Sequence, residues 1–122
     1  MQPAERQHRA LNLWRTTTVA SVRLDGPDLT ARQMALLLTV YLTPPPHTVR
    51  GLAAALRISK PAITRALDRL SGLGYVRRRT DEADKRSVLV QRTVKGSVFL
   101  SEFGELVVEA ERIVDADAGV AE

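Results

Sequence analysis

Apolar positions along this chain recur with a helical period at both ends and alternate briefly in between, and the switch divides the sequence into elements. Between Arg9 and Val22, the residues Leu11, Trp14, Thr18 and Val22 keep helical spacing, which predicts a helix from about Ala4 to Arg23 despite the weak formers Thr16, Thr17 and Thr18. Asp25, Gly26, Pro27 and Asp28 break it. Next comes a helix start with two reinforcing devices: Thr30 and Gln33 have capping-box spacing, and Leu29 and Met34 hold staple positions. That helix runs through Leu36, Leu37 and Val40 to about Leu42, where Pro44-Pro45-Pro46 ends it. Thr48 is placed to cap a short third helix with Leu52, Ala53 and Leu56 turned inward. Beyond Arg57 and Ile58, Ser59 is placed to cap a fourth helix, where Pro61 is tolerated because first-turn amides have no intrahelical partner. Its buried stripe is Ile63, Ala66, Leu67 and Leu70, and Gly72 and Gly74 close it.

The period then changes. Tyr75 to Thr80 and Ser87 to Thr93 are β-prone, with Val88 and Val90 on one side and Leu89 on the other. The residues between them, 81–86, are mostly charged, so the pair reads as a hairpin with a polar tip. Thr93 caps a long last helix whose stripe is Phe99, Phe103, Leu106, Val107, Ala110, Ile113 and Val114, with Glu102, Glu105 and Glu109 outward. The expected fold is mainly α with a small β-hairpin wing (α+β), a winged helix-turn-helix forming a single domain over residues 1–122.

Charge adds two faces to this picture. Residues 57–92 hold ten Lys and Arg against Asp68, Asp81, Glu82 and Asp84, whereas residues 93–122 hold Lys95 and Arg112 against seven acids. A basic centre followed by an acidic tail points to different partners for the two regions, although charge alone equally fits solvated surfaces.

Other classes lose support. The chain has no cysteine, which removes disulfides, thiolate zinc sites and cysteine nucleophiles. His8 and His47 stand in a polar terminus and a proline-rich loop, where solvation is the expectation, and they make poor material for catalysis or a metal site. No cofactor, metal site or enzymatic activity is expected. The first residues lack the pattern of a secretion signal, and no apolar run approaches the ~20 residues that cross a bilayer. A cytoplasmic protein without a membrane partner is the expectation.

The informative order is helix, short helix, tight turn, helix, basic hairpin. A second helix joined by such a turn is free to enter a DNA groove by its N-terminal end. Arg65 is the candidate for base readout, since a guanidinium can engage guanine O6 and N7 together, and Thr64 can meet a thymine methyl. Lys60 and Arg69 are candidates for phosphate. By themselves Arg65 and Asp68 describe an ordinary solvent-facing pair. The hairpin changes that reading, because Arg77, Arg78 and Arg79 at its base and Lys85 and Arg86 at its tip put five cations directly after the helix. A tip arginine can enter a narrow minor groove. Asp81 and Asp84 are expected to orient Arg86 or Arg79 by charge-assisted hydrogen bonds.

From about Leu29 to Gly96 the sequence resembles the MarR-type winged helix regulators, in "LTARQMALLLTVYL", in "TVRGLAAALRISKPAITRALDRLSGLGYVRRR" and in the wing "TDEADKRSVLVQRTVKG". The resemblance implies a sequence-specific regulator of transcription that binds double-stranded DNA at a pseudo-palindromic operator. It further implies a homodimeric repressor relieved by a small-molecule effector, associated with the bacterial nucleoid. The DNA-contacting set is then Thr48, Ser59, Lys60, Pro61, Thr64, Arg65, Arg69, Arg79, Lys85 and Arg86, in a lobe over residues 29–93. Dimerisation falls to helices within 1–28 and 94–117, through Leu11, Trp14, Phe99, Phe103, Leu106, Val107, Ala110, Ile113 and Val114. The wing departs from the common pattern at Ala83, where an arginine is usual, which leaves the minor groove to Lys85 and Arg86. A winged helix that has lost DNA readout and docks another protein stays open as the alternative.

Overall fold

The computed structural model describes the backbone of residues 2–120 and the side chains of residues 2–117. Its elements are α1 (Pro3–Val22), α2 (Ala31–Leu42), β1 (His47–Thr48), α3 (Val49–Leu56), α4 (Lys60–Gly72), β2 (Val76–Thr80), β3 (Val88–Arg92) and α5 (Val94–Val120). Two compact units emerge, residues 29–100 and the flanking residues up to 28 with those from 101 onward.

In the central unit each helix starts where a side-chain oxygen can take an orphan amide. Thr30 accepts from the Gln33 amide at 3.1 Å while the Gln33 side chain accepts from the Thr30 amide at 3.0 Å, completing the capping box. Thr48 accepts from Gly51, Ser59 from Ala62 and Thr93 from Gly96. The helices of the helix-turn-helix also end alike. The Ile58 amide reaches the Ala53 carbonyl and the Arg57 amide the Ala54 carbonyl; at the end of α4, Tyr75 reaches Leu70 and Gly74 reaches Ser71. Both are Schellman closures that need a left-handed residue, supplied by Gly74 at φ 80° and, less comfortably, by Arg57 at φ 55°.

The inward stripes of these helices meet in one core. Leu36, Leu37 and Val40 of α2, Leu52 and Ala53 of α3, and Ile63, Leu67 and Leu70 of α4 are buried with Tyr75, Val76 and Val90. Each fully buried Leu or Ile contributes about 1.5–3 kcal/mol, enough collectively to fix the angle at which α4 stands away from α3.

The sheet has three antiparallel strands rather than the two of a simple hairpin, in the order β1-β3-β2. His47 pairs with Val90 and Thr48 with Leu89, so the residues after the triple proline form an edge strand that a two-residue stretch could not announce by alternation. His47, expected in solvent, is instead half-buried with Nε2 3.1 Å from the Thr43 carbonyl. Across β2 and β3, Arg78 stands opposite Val90 on the face that carries buried Val76, whereas Arg77 and Arg79 stand opposite Gln91 and Leu89 on the other face.

Two contacts tie the sheet to α2 and α5. Arg92 donates to the Val40 and Thr43 carbonyls, both at 2.9 Å, closing the α2 end that the prolines cannot continue. The Tyr41 hydroxyl donates to the Tyr75 carbonyl at 2.7 Å and accepts from the Thr93 amide at 2.8 Å. Gly96 lies against this junction so closely that a Cβ there would sit 2.0 Å from the hydroxyl. Phe99, grouped by sequence with the dimerisation stripe, stacks on Tyr75 with ring centroids 4.4 Å apart.

The flanking unit is helical and thinly packed. Its only buried side chains among the described residues are Thr17, Ala110 and Val114. Thr17 is buried without penalty because its hydroxyl donates to the Leu13 carbonyl. The stripe that gave α1 its helical pattern lies outward, with Leu11 68% and Trp14 63% exposed. Arg9 pairs with Asp115 and Glu109 with Arg112, the latter pair holding the Glu109 carboxyl below its ordinary range by hydrogen bonding. Among the described residues, no helix is long and apolar enough to cross a membrane.

Candidate nucleic-acid interface

The outward face of α4 follows from its inward one. With Ile63, Leu67 and Leu70 buried, Lys60, Pro61, Thr64, Arg65, Asp68 and Arg69 are exposed. The side chains of Lys60 and Arg65 form no hydrogen bond or ion pair with other described residues, so both cations are available to a ligand. Ser59 and Thr48 commit their oxygens to the caps, and their contribution is to fix two helix N-termini, whose free amides favour an anion.

The wing tip is ordered by its acids. Asp81 accepts from the Ala83 amide at 3.0 Å, and Asp84 from the Arg86 amide at 3.1 Å while standing 3.6 Å from the Arg86 guanidinium. The expected charge-assisted hydrogen bonds to the arginine side chains do not form among the described residues: Asp84 stands beyond hydrogen-bond distance of the Arg86 guanidinium, and both acids fold the tip backbone instead. Lys85 and Arg86 are consequently presented outward, both exposed.

The pieces converge on an open cleft of about 260 Å³. Thr48, Val49 and Arg50 line it from the start of α3, Lys60 and Thr64 from the start of α4, Arg78 from β2, and Asp84, Arg86, Ser87 and Val88 from the wing. Four cations thus face one space from four elements, a concentration of positive potential suited to a polyanion. Arg65 and Arg69 stand on the exposed side of α4, Arg79 on the opposite face of the wing ribbon, and Lys85 at the tip.

Two cleft cations escaped the sequence reading as contacts. Arg50 carries no local signal beyond its place two residues after a cap. Arg78 was hidden in a run of three arginines, although strand alternation from Val76 could have marked it as the inward one. Arg78 also makes an ion pair between the wing and α4, its guanidinium 2.8 Å from the Asp68 carboxylate. Arg92, counted in the basic block, is engaged with α2. Among the described residues, no group of three or more His, Cys, Asp or Glu is arranged to hold a metal.

Comparison with known proteins extends this geometry. Residues 28–87, from the residue before Leu29 through the wing tip, match the family model of the MarR family. A mutant MarR from E. coli is 26% identical, with 96% of this chain and 85% of that chain covered at a TM-score of 0.71. A mutant MarR from E. coli complexed with operator DNA is also 26% identical, with 92% and 75% covered at 0.65. MepR from a multidrug-resistant S. aureus clinical isolate shares the fold at a TM-score of 0.80, with 18% identity over 96% of this chain and 83% of that one. With the family model laid over the helix-turn-helix and wing, and the fold shared along nearly its whole length, the chain belongs to the MarR family of winged-helix DNA-binding transcription regulators, which are not enzymes.

Proposed function

We propose that the chain binds double-stranded DNA sequence-specifically as a homodimer, placing α4 in the major groove and the wing tip against the adjacent minor groove. The observation that carries this reading is the cleft, where the N-terminal ends of α3 and α4 and the wing direct Arg50, Lys60, Arg78 and Arg86 to one space. Arg65 reads a base, Thr64 adds an apolar contact, and Thr48, Ser59, Pro61, Lys60, Arg69, Arg79 and Lys85 position the duplex. Arg86 enters the minor groove, where A·T-rich sequence narrows it and deepens the negative potential.

Dimerisation is supported by the flanking unit, which buries few side chains and leaves Leu11, Trp14, Val22 and Val108 more than half exposed. A second copy laid on the α1 stripe and on Phe103, Leu106, Val107 and Ile113 of α5 covers these surfaces. Repression by occupying a promoter, relieved by a small ligand, is the regulatory reading that accompanies family membership, and it places the protein with cytoplasmic DNA.

The test is a mobility shift on DNA from the chain's own promoter region and on random DNA, each at two salt concentrations. Cognate binding that exceeds random binding at both salts is expected. Equal binding to both DNAs overturns sequence-specific readout, and no binding to either turns the winged helix into a protein-docking module.

A further inference from the structure

We propose that Asp68 sets the sequence-independent part of DNA affinity by withholding Arg78 from the DNA backbone. The inference rests on the DNA-binding reading above. Asp68 is the only acid on α4 and lies on its exposed face, where a carboxylate brought toward a polyanion is repelled. Its position makes sense once Arg78 is included. Strand alternation turns Arg78 toward α4, and its guanidinium meets the Asp68 carboxylate at 2.8 Å. Around the same cleft, the Arg50 and Lys60 side chains make no ion pair or hydrogen bond among the described residues. Arg78 is therefore the cleft cation most firmly held by a carboxylate of the protein, the Arg86 to Asp84 separation being longer at 3.6 Å.

A cation bound to a carboxylate adds little to counterion release, which is the sequence-independent part of DNA binding. Asp68 thus lowers affinity for any duplex by about one phosphate contact per lobe. Cognate and random binding lose the same increment, because base contacts from Arg65 add to the phosphate contribution without changing its size. The pair therefore tunes how tightly the protein holds DNA of any sequence, and the salt range over which it stays bound, while base preference stays with Arg65.

The experiment compares wild type, Asp68→Asn, Arg78→Gln and the double variant on promoter and random DNA across a salt series, with melting temperature measured for each. Asp68→Asn is expected to tighten binding to both DNAs several-fold at low salt, to steepen the salt slope by about one unit per bound lobe, and to leave the specificity ratio unchanged. The double variant is expected to return the slope to wild type. An Asp68→Asn protein that melts lower and binds both DNAs more weakly, with an unchanged slope, shows a structural pair and overturns the proposal. An unchanged slope at wild-type melting temperature overturns it as well. Failure of wild type itself to bind DNA is a separate outcome that removes the DNA reading and the proposal with it.

Discussion

Single residues decide two junctions of the central lobe. Gly96 admits the Tyr41 hydroxyl and the Tyr75 carbonyl where a Cβ would stand 2.0 and 2.2 Å from them. One of these is backbone, so relief needs movement of α5, and Gly96→Ala is expected to cost about 1–3 kcal/mol or more, visible as a lowered melting temperature. Arg57 is the opposite case, a side-chain-bearing residue at φ 55° where α4's matching closure uses Gly74. Arg57→Gly should leave stability unchanged or raise it by up to about 1 kcal/mol, because relief of the left-handed strain exceeds or matches the added chain entropy; a clear loss in denaturant midpoint would contradict this. For readout, Arg65→Ala is expected to lose about 1–3 kcal/mol on cognate DNA and to relax preference at one base position. Equal loss on random DNA would mean that a different residue of α4 reads the bases.

At the scale of elements, wing and recognition helix answer to different measurements. Lys85→Ala should weaken every sequence alike and flatten the salt slope by about one unit, whereas Arg86→Ala should hurt most where the minor groove is A·T-rich. Most element boundaries were legible in the sequence because they are set by local chemistry: Thr30, Thr48, Ser59 and Thr93 each cap the helix they precede. The stripe of α4 was equally plain, and it fixed the exposed face by subtraction. What stayed hidden depends on partners distant in sequence. Arg92 reads as one more cation of a basic block until α2 ends beside it, and Phe99 reads as part of a long stripe until Tyr75 stacks on it. In α1 the periodic residues Leu11 and Trp14 gave the helix correctly but not its buried position, which is Thr17, a polar residue whose hydroxyl is satisfied by its own helix.

For the whole molecule, the sparse interior of the flanking unit sets the association prediction. Replacing Leu11 and Trp14 together by glutamate is expected to convert a sedimenting dimer to monomer at tens of micromolar while the central lobe keeps its own core. DNA affinity should fall, since two half-sites about 10 base pairs apart centre to centre would no longer be bound together. A footprint of the wild type confined to one half-site would count against the dimer. The sheet carries a last consequence. Its base is tied down by β1 against β3 and by Arg92 on α2, whereas the tip closes on itself, the Asp81 amide donating to the Ser87 carbonyl at 3.0 Å. Loop closure grows by only about 0.6 kcal/mol for each doubling of length. The wing's reach is therefore a length that selection or an engineer can vary by insertion or deletion at the tip, changing how far the protein extends along DNA while the scaffold beneath it stays the same.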